Sequence, residues 1–296
     1  MRRTFVNRFS PLLLLMWALA AGPVGPALHG DDPPADKRGA KPADIAAPTA
    51  KELADRRMVF MKSALAHYSV EVGGLKEPAT VGDPCLRWTN PVGTSADGVV
   101  AVYAHNGGRP AALAQFFLTG RNRWVNEFTI IPDSDVTIMR SGRVFWKPSQ
   151  YVCKFSDLPQ APTPAASPVL RLAQMRAIAA DFSVTDYFGP KATRQDLRLL
   201  TQPVYRYSEA GALLDGAVFI FALTTDPECC LLVEAYRDDK GSRYRYALGP
   251  MSIYQLEARH KDKPVWEIER RTPDGAESRA YYAGVYVPDP ADVLPE

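Results

Sequence analysis

Apolar side chains recur at Leu53, Met58, Phe60, Met61, Leu65 and Tyr68, a spacing near 3.6 that predicts an amphipathic helix. Thr49 and Glu52 frame its start as a capping box, in which each side chain takes a backbone N–H that the helix leaves unpaired. A second helical stripe runs Val169, Leu170, Leu172, Met175, Ile178, Ala179, Phe182, with Ser167 as N-cap and Pro168 at the first helical position. After each helix the period shortens to that of strands. These are predicted over 86–92, 99–104, 112–118, 124–131 and 136–146, then over 197–207, 217–223, 230–236, 243–248 and 265–269. The links carry turn residues (Asn106-Gly107-Gly108, Gly120-Arg121-Asn122, Ser141-Gly142, Asp238-Asp239-Lys240-Gly241). They are too short for crossover connections, so the strands run antiparallel.

The two stretches share residues in order. Leu86-Arg87, Thr89 and Pro91-Val92 align with Leu197-Arg198, Thr201 and Pro203-Val204; Asp97-Gly98 with Asp215-Gly216; Pro110 with Pro227; Pro132 with Pro250; Trp146 with Trp266. The pattern predicts an α+β protein of two tandem repeats, each one N-terminal helix on a meander of four or five antiparallel strands. Paired residues of this kind are read as scaffold, so a functional site is expected where the halves differ.

The flanks narrow the folded part. Residues 1–20 combine Arg2, Arg3 and Arg8, an apolar run from Leu12 and small residues at Ala18 and Ala20, the pattern of a cleavable export signal. Residues 21–48, rich in Pro and Ala, form a solvated tether, and 156–168 a Pro-rich linker. The repeats are therefore placed at 49–155 and 169–287, with a tail at 288–296, and the mature chain carries no transmembrane helix. Removal of the three arginines takes the formal charge from +2 to −1. Balanced charge in an exported chain argues against nucleic acid and for an envelope component or protein partner.

Local spacing offers little chemistry. The four His stand apart, no Cys-x-x-Cys occurs, and neither a metal site nor a cofactor is expected from such spacing. Cys85 and Cys153 bracket the first repeat and form a possible disulfide, while Cys229 and Cys230 are read as small buried side chains on opposite faces of a strand. Glu127 precedes the apolar run Phe128-Thr129-Ile130-Ile131. A carboxylate half-buried in a sheet acquires a raised pKa suited to acid–base work, which makes Glu127 the one catalytic candidate. Trp124, Tyr205, Tyr207, Tyr244 and Tyr246 are candidate ligand platforms. The Tyr/Arg alternation at 205–207 and 243–246 sends tyrosines to one face and arginines to the other. Arg109 is paired with Asp226 or Glu228 as an expected contact between repeats.

The strings 197–207 (LRLLTQPVYRY), 215–222 (DGAVFIFA) and 225–228 (TDPE), with the closing Val265-Trp266, resemble a family of uncharacterised exported proteins common in planctomycete bacteria. The resemblance covers most of residues 50–285. It implies a signal peptide followed by two related segments, the first with an aromatic–acid step like Glu127-Phe128, and implies no activity. The function expected is an exported, non-catalytic binding or interaction module. The alternatives are a cell-envelope hydrolase or isomerase using Glu127 in a helix–sheet pocket, as folds of the cystatin or nuclear-transport-factor kind enclose, and a structural subunit of an envelope assembly.

Overall fold

The computed structural model describes residues 47–90, 95–105, 108–131, 135–208, 211–271, 280–290 and 292–295. The segment read as an export signal, nearly all of the one read as a tether, and the turn residues Asn106-Gly107 lie outside them. Among the described residues, no helix is long and apolar enough to cross a membrane.

Helix α1 spans Ala50–Ala66 and α2 spans Pro168–Ala180. The capping box forms: Glu52 N–H donates to Thr49 Oγ1 at 3.2 Å, and Thr49 N–H donates to Glu52 Oε2 at 2.7 Å. α1 buries Phe60, Met61, Ala64 and Leu65, and α2 buries Met175, Ile178 and Ala179. Val169 and Leu170, placed on the buried stripe from sequence, are exposed, because α2 docks through its second half and anchors its first turn by Arg171, whose Nε donates to Asp215 at 3.0 Å.

The rest is antiparallel sheet, which makes the chain α+β. The first large sheet runs Tyr281–Val285, Trp124–Ile130, Pro110–Thr119, Ser95–Ala104, Thr80–Val81, with Leu86–Trp88 also paired to Ser95–Ala104. The second runs Arg198–Leu199, Leu213–Leu223, Asp226–Asp238, Gly241–Pro250, Ser156–Asp157, with Tyr205–Tyr207 also on Leu213–Leu223. Tyr68–Val72, Val136–Arg140 and Arg143–Trp146 form a smaller sheet, and so do Thr193–Asp196, Phe182–Phe188, Gln255–His260 and Lys263–Ile268. Each large sheet thus has more strands than a simple meander, and the extra ones come from outside its own run. The strand Tyr281–Val285, assigned from sequence to the second repeat, completes the first sheet. Ser156–Asp157, assigned to the linker, edges the second.

Both faces of both large sheets are covered. On Ser95–Ala104, Val99, Ala101 and Tyr103 face α1 together with Phe116 and Phe128. Val100, Val102 and Ala104 face the other way and meet Val218, Ile220, Ala222, Cys230 and Leu232 of the second sheet. Ala217, Phe219 and Phe221 then point to α2 with Met175 and Ile178. The layers are helix, sheet, sheet, helix. Strands buried on both faces read as continuous apolar runs, which is what Val99–Ala104 and Ala217–Leu223 are.

The adjacent cysteines behave as the strand period requires, with Cys229 in the α2 layer and Cys230 between the sheets. Cys85 and Cys153 stand as thiols rather than as a disulfide. Cys85 donates to Val100 O at 3.4 Å, and Cys153 packs in the inter-sheet core.

Candidate functional site

The register that pairs Pro110–Thr119 with Trp124–Ile130 sets Gln115 directly opposite Glu127. Both side chains point away from α1 and toward the second sheet. Glu127 is half-buried. Its Oε2 accepts from Tyr281 Oη at 2.6 Å and from Gln115 Nε2 at 3.0 Å. Gln115 Nε2 also donates to Met251 O at 2.6 Å, and the Thr129 hydroxyl donates to Pro250 O. These bonds tie the two sheets together at one end of the seam. The helix–sheet pocket expected around Glu127 is not where this side chain lies. The layer under α1 is filled by Phe60, Met61, Leu65, Phe116 and Phe128, and Glu127 occupies the opposite face.

Three further acids gather near it from the other half. Asp226 and Glu228 open the strand that follows the two-residue link Thr224-Thr225. Asp186 comes from Phe182–Phe188. Thr224 holds a left-handed backbone, φ 57°, an uncommon conformation for a β-branched residue. The link is held in place across the seam: the Thr225 hydroxyl donates to Thr89 O, and Asn90 Nδ2 donates to Asp226 Oδ2 at 3.2 Å. Asp186 is fully buried, and neither of its oxygens finds a hydrogen bond among the described residues.

Burial is the leading electrostatic fact. It pushes the Glu127 carboxyl up to about 8, against the opposing pull of the Tyr281 and Gln115 bonds. Burial, then the charge of Asp226, pushes Asp186 to about 7, and burial pushes Asp226 to about 6. Glu228 rises well above the ordinary carboxylate range, first by burial and then through the charges of Asp226 and Asp186. Arg271, whose charge acts on Glu127 and Asp186, is itself lowered to about 10 by burial. It donates from Nη1 to Glu269 O at 3.1 Å and from Nη2 to Ser252 O, and it lies over the Tyr281 ring at 5.4 Å. Within the cluster burial thus raises Glu127 further than Asp226. Separated pKa values within one group are how a site supplies both an acid and a base.

Beside Asp226 and Asn90 a groove of about 350 Å³ crosses the seam, lined by Leu86, Arg87, Trp88, Thr89, Arg198, Leu200 and Thr225. Arg198 Nη2 donates to Thr224 O at 3.0 Å, and Arg87 forks onto Asp97 with bonds of 2.9 and 2.7 Å. The wall is mostly apolar, with two guanidinium groups at its margin.

The other sequence candidates are accounted for by packing. Trp124 stacks on Phe116 at 5.4 Å in the α1 layer. Tyr244 donates to Gln174 Oε1 at 2.8 Å, and Tyr246 packs on Phe182. Tyr207 is buried and donates to Glu234 at 2.9 Å, while half-buried Tyr205 donates to Gly108 O at 3.1 Å. The tyrosines and arginines do alternate across the strands, but the tyrosine faces are interior and offer no open platform. Arg109 joins the halves through Glu234, from Nε to Oε1 at 2.8 Å, rather than through Asp226 or Glu228, which take Asn90 and Ser252.

Gln115, Tyr281, Asp186 and Arg271 were missed in sequence. Gln115 left a signal, since it is the one polar residue inside the apolar run 112–118. The other three reach the cluster only through tertiary pairing. No protein-family model, curated protein or solved structure matches this chain.

Proposed function

We propose that the protein is an exported binding module built of two related helix-on-sheet halves, and that its ligand seat is the groove across their seam. The groove carries this reading: both halves contribute to one apolar trough edged by Arg87 and Arg198, a surface suited to a ligand that joins an apolar body to an anionic group. The relation between the halves draws support from matched devices. Arg87 forks onto Asp97 and Arg206 onto Asp215; the neighbouring Trp88 and Tyr207 rings lie on Gly98 and Gly216. Export rests on the 1–20 signal pattern and on the resemblance to exported planctomycete proteins. The test is to titrate the chain with acidic peptides and carboxylate-bearing envelope oligosaccharides and follow tryptophan fluorescence. Saturable quenching weakened at least about tenfold by Arg198→Ala is the expected result, and no response to either ligand class overturns the reading.

The raised carboxyl of Glu127 favours a second reading, an envelope hydrolase or isomerase in which Glu127 donates a proton and Asp226 accepts one. Turnover of an envelope polymer that disappears in Glu127→Gln supports it and displaces the binding reading.

A further inference from the structure

The strand Phe182–Phe188 leaves α2 after Asp181 and turns back into Thr193–Asp196, pairing from Thr185 with Asp196 to Phe188 with Thr193. Thr193–Asp196 is the outermost strand of its sheet and is mostly exposed. Asp196 accepts from Thr185 Oγ1 and from Arg194 Nη2, each at 3.0 Å, so the hairpin is tied within itself. Its other face carries Phe182, Val184 and Asp186, all buried. Phe182 and Val184 join the apolar layer of α2. Asp186 extends that face into the acid cluster. It is 0% exposed, and neither of its oxygens is hydrogen-bonded among the described residues.

We propose that residues 182–196 form a proton-controlled flap over the acid cluster, closed while Asp186 carries a proton and loosened when Asp186 ionises. This holds whichever ligand or reaction the cluster serves. A carboxyl taken out of water with no donor to meet it is tolerated as the neutral acid and costly as the anion. The elements around Asp186 do not relieve that cost. The flanking strands set Gln195 and Leu256 opposite it. The buried residues of α2 are Met175, Ile178 and Ala179. The strand Asp226–Asp238 brings Asp226, Glu228 and Cys229, and the turn before Gln255–His260 brings Tyr254; negative charge on any of these opposes ionisation of Asp186. Arg271 is the cation that acts on Asp186, but its Nη atoms donate to Glu269 O and Ser252 O. The Asp186 anion is therefore relieved by water, which reaches it when the hairpin lifts.

The sign follows from linkage. Burial, then the charge of Asp226, pushes the closed carboxyl up to about 7 from an ordinary 3.8, with Arg271 opposing. The closed hairpin thus binds the proton more tightly than the lifted one. Closure weakens as pH rises from 3.8 to about 7, by at most about tenfold per pH unit, and this group adds nothing further above that window. At the tip, Phe188 lies 4.7 Å from the Tyr254 ring, and Arg270 Nη1 donates to Gly189 O at 2.7 Å. At the base, His260 stands opposite Phe182, with its ring 4.6 Å away. Burial, then Lys261, pushes that imidazole down, so its titration tightens the hairpin as pH rises. The two groups act with opposite sign.

The test is hydrogen–deuterium exchange on the full chain from about pH 5 to about pH 8.5, each rate corrected for the intrinsic pH dependence of amide exchange. Protection of the amides in 183–188 and 193–196 should fall at least about tenfold between about pH 5 and about pH 7, then level off. Asp186→Asn, neutral throughout, should hold protection constant over that range. Asp186→Leu should do the same and serves if the asparagine variant does not fold. His260→Gln removes the group of opposite sign and should leave the fall in place. A parent fall smaller than about tenfold, or an equal fall in a folded Asp186 variant, overturns the proposal. If neither variant folds, the carboxyl ¹³C titration of Asp186 in the parent decides. A midpoint above about pH 6 supports the flap, and one below it overturns it.

Discussion

Two groups of buried acid lie in the seam between the sheets, and they are treated differently. Glu234 is fully buried and fully matched: Arg109 and Arg245 reach its two oxygens at 2.8 and 2.7 Å, and Tyr207 adds a bond at 2.9 Å. At the other group, Glu127 and Asp186 feel the charge of Arg271, and the carboxyls of Glu127, Asp186, Asp226 and Glu228 are all pushed upward. A carboxylate that meets its cations acts as a tie between layers. Acids that outnumber their cations keep protons instead. The first arrangement is structural. The second stores titratable groups inside the fold, which is why it is the candidate site.

The largest break in this contrast comes from Glu234→Ala, which strands two half-buried guanidinium groups and a tyrosine hydroxyl. Urea unfolding should register a loss of about 3–5 kcal/mol. A loss below about 1 kcal/mol means that solvent already screens the tie. Next is the pH dependence of the acid cluster. Folded Glu127 holds its proton to about pH 8, while its ordinary value is 4.5. Between those values the folded chain binds more protons, so stability falls as pH rises through that window. Glu127→Gln should flatten the fall and gain on the order of 3 kcal/mol at pH 8 relative to the parent. Unchanged pH profiles in the variant rule out Glu127 as the titrating group.

A smaller effect is expected at Gly216. A Cβ there would sit 2.4 Å from the Tyr207 ring, and Tyr207 cannot yield without losing Glu234. Gly216→Ala should cost about 1–3 kcal/mol in thermal unfolding. At Gly98 a Cβ meets the Trp88 ring at 2.7 Å, but Trp88 packs on Phe117 and no polar bond to Glu234 pins it. Gly98→Ala should cost less, and the reverse order sinks the idea that Glu234 rigidifies its half. The subtlest test is Asp226→Asn. Removing that charge should lower the Glu127 pKa, read by carboxyl ¹³C NMR, because Asp226 contributes to raising it. An unmoved titration curve shows that the two acids are uncoupled.

Much of the local structure was legible. The capping box at Thr49 and the antiparallel strands follow from residue spacing and turn chemistry alone. Among the strands that escaped are Tyr68–Val72, Phe182–Phe188, Gln255–His260 and Tyr281–Val285. The first two follow their helices with at most one residue between, so their apolar positions read as continuations of the helical stripe. The last is defined by what it pairs with, and Tyr281–Val285 finds its partner, Trp124–Ile130, far back in the chain. Double burial of the large sheets was visible in the unbroken run Val99–Ala104, yet only one layer, a helix, was expected against each meander. Glu127 was legible as an acid in an apolar strand. Its direction was not, because whether position 127 faces a helix or a second sheet depends on which layers exist.

The exchange of edge strands sets an order of events. Ser156–Asp157 closes the second sheet as soon as that sheet is made, but the first sheet waits for Tyr281–Val285. A ribosome releases the chain from its N-terminus, so the earlier half stays incomplete until residues 281–285 have emerged. The same late strand carries Tyr281, the hydroxyl on Glu127. A chain cut short before residue 281 would bury most of its core and still lack the Tyr281 hydroxyl that completes the acid cluster.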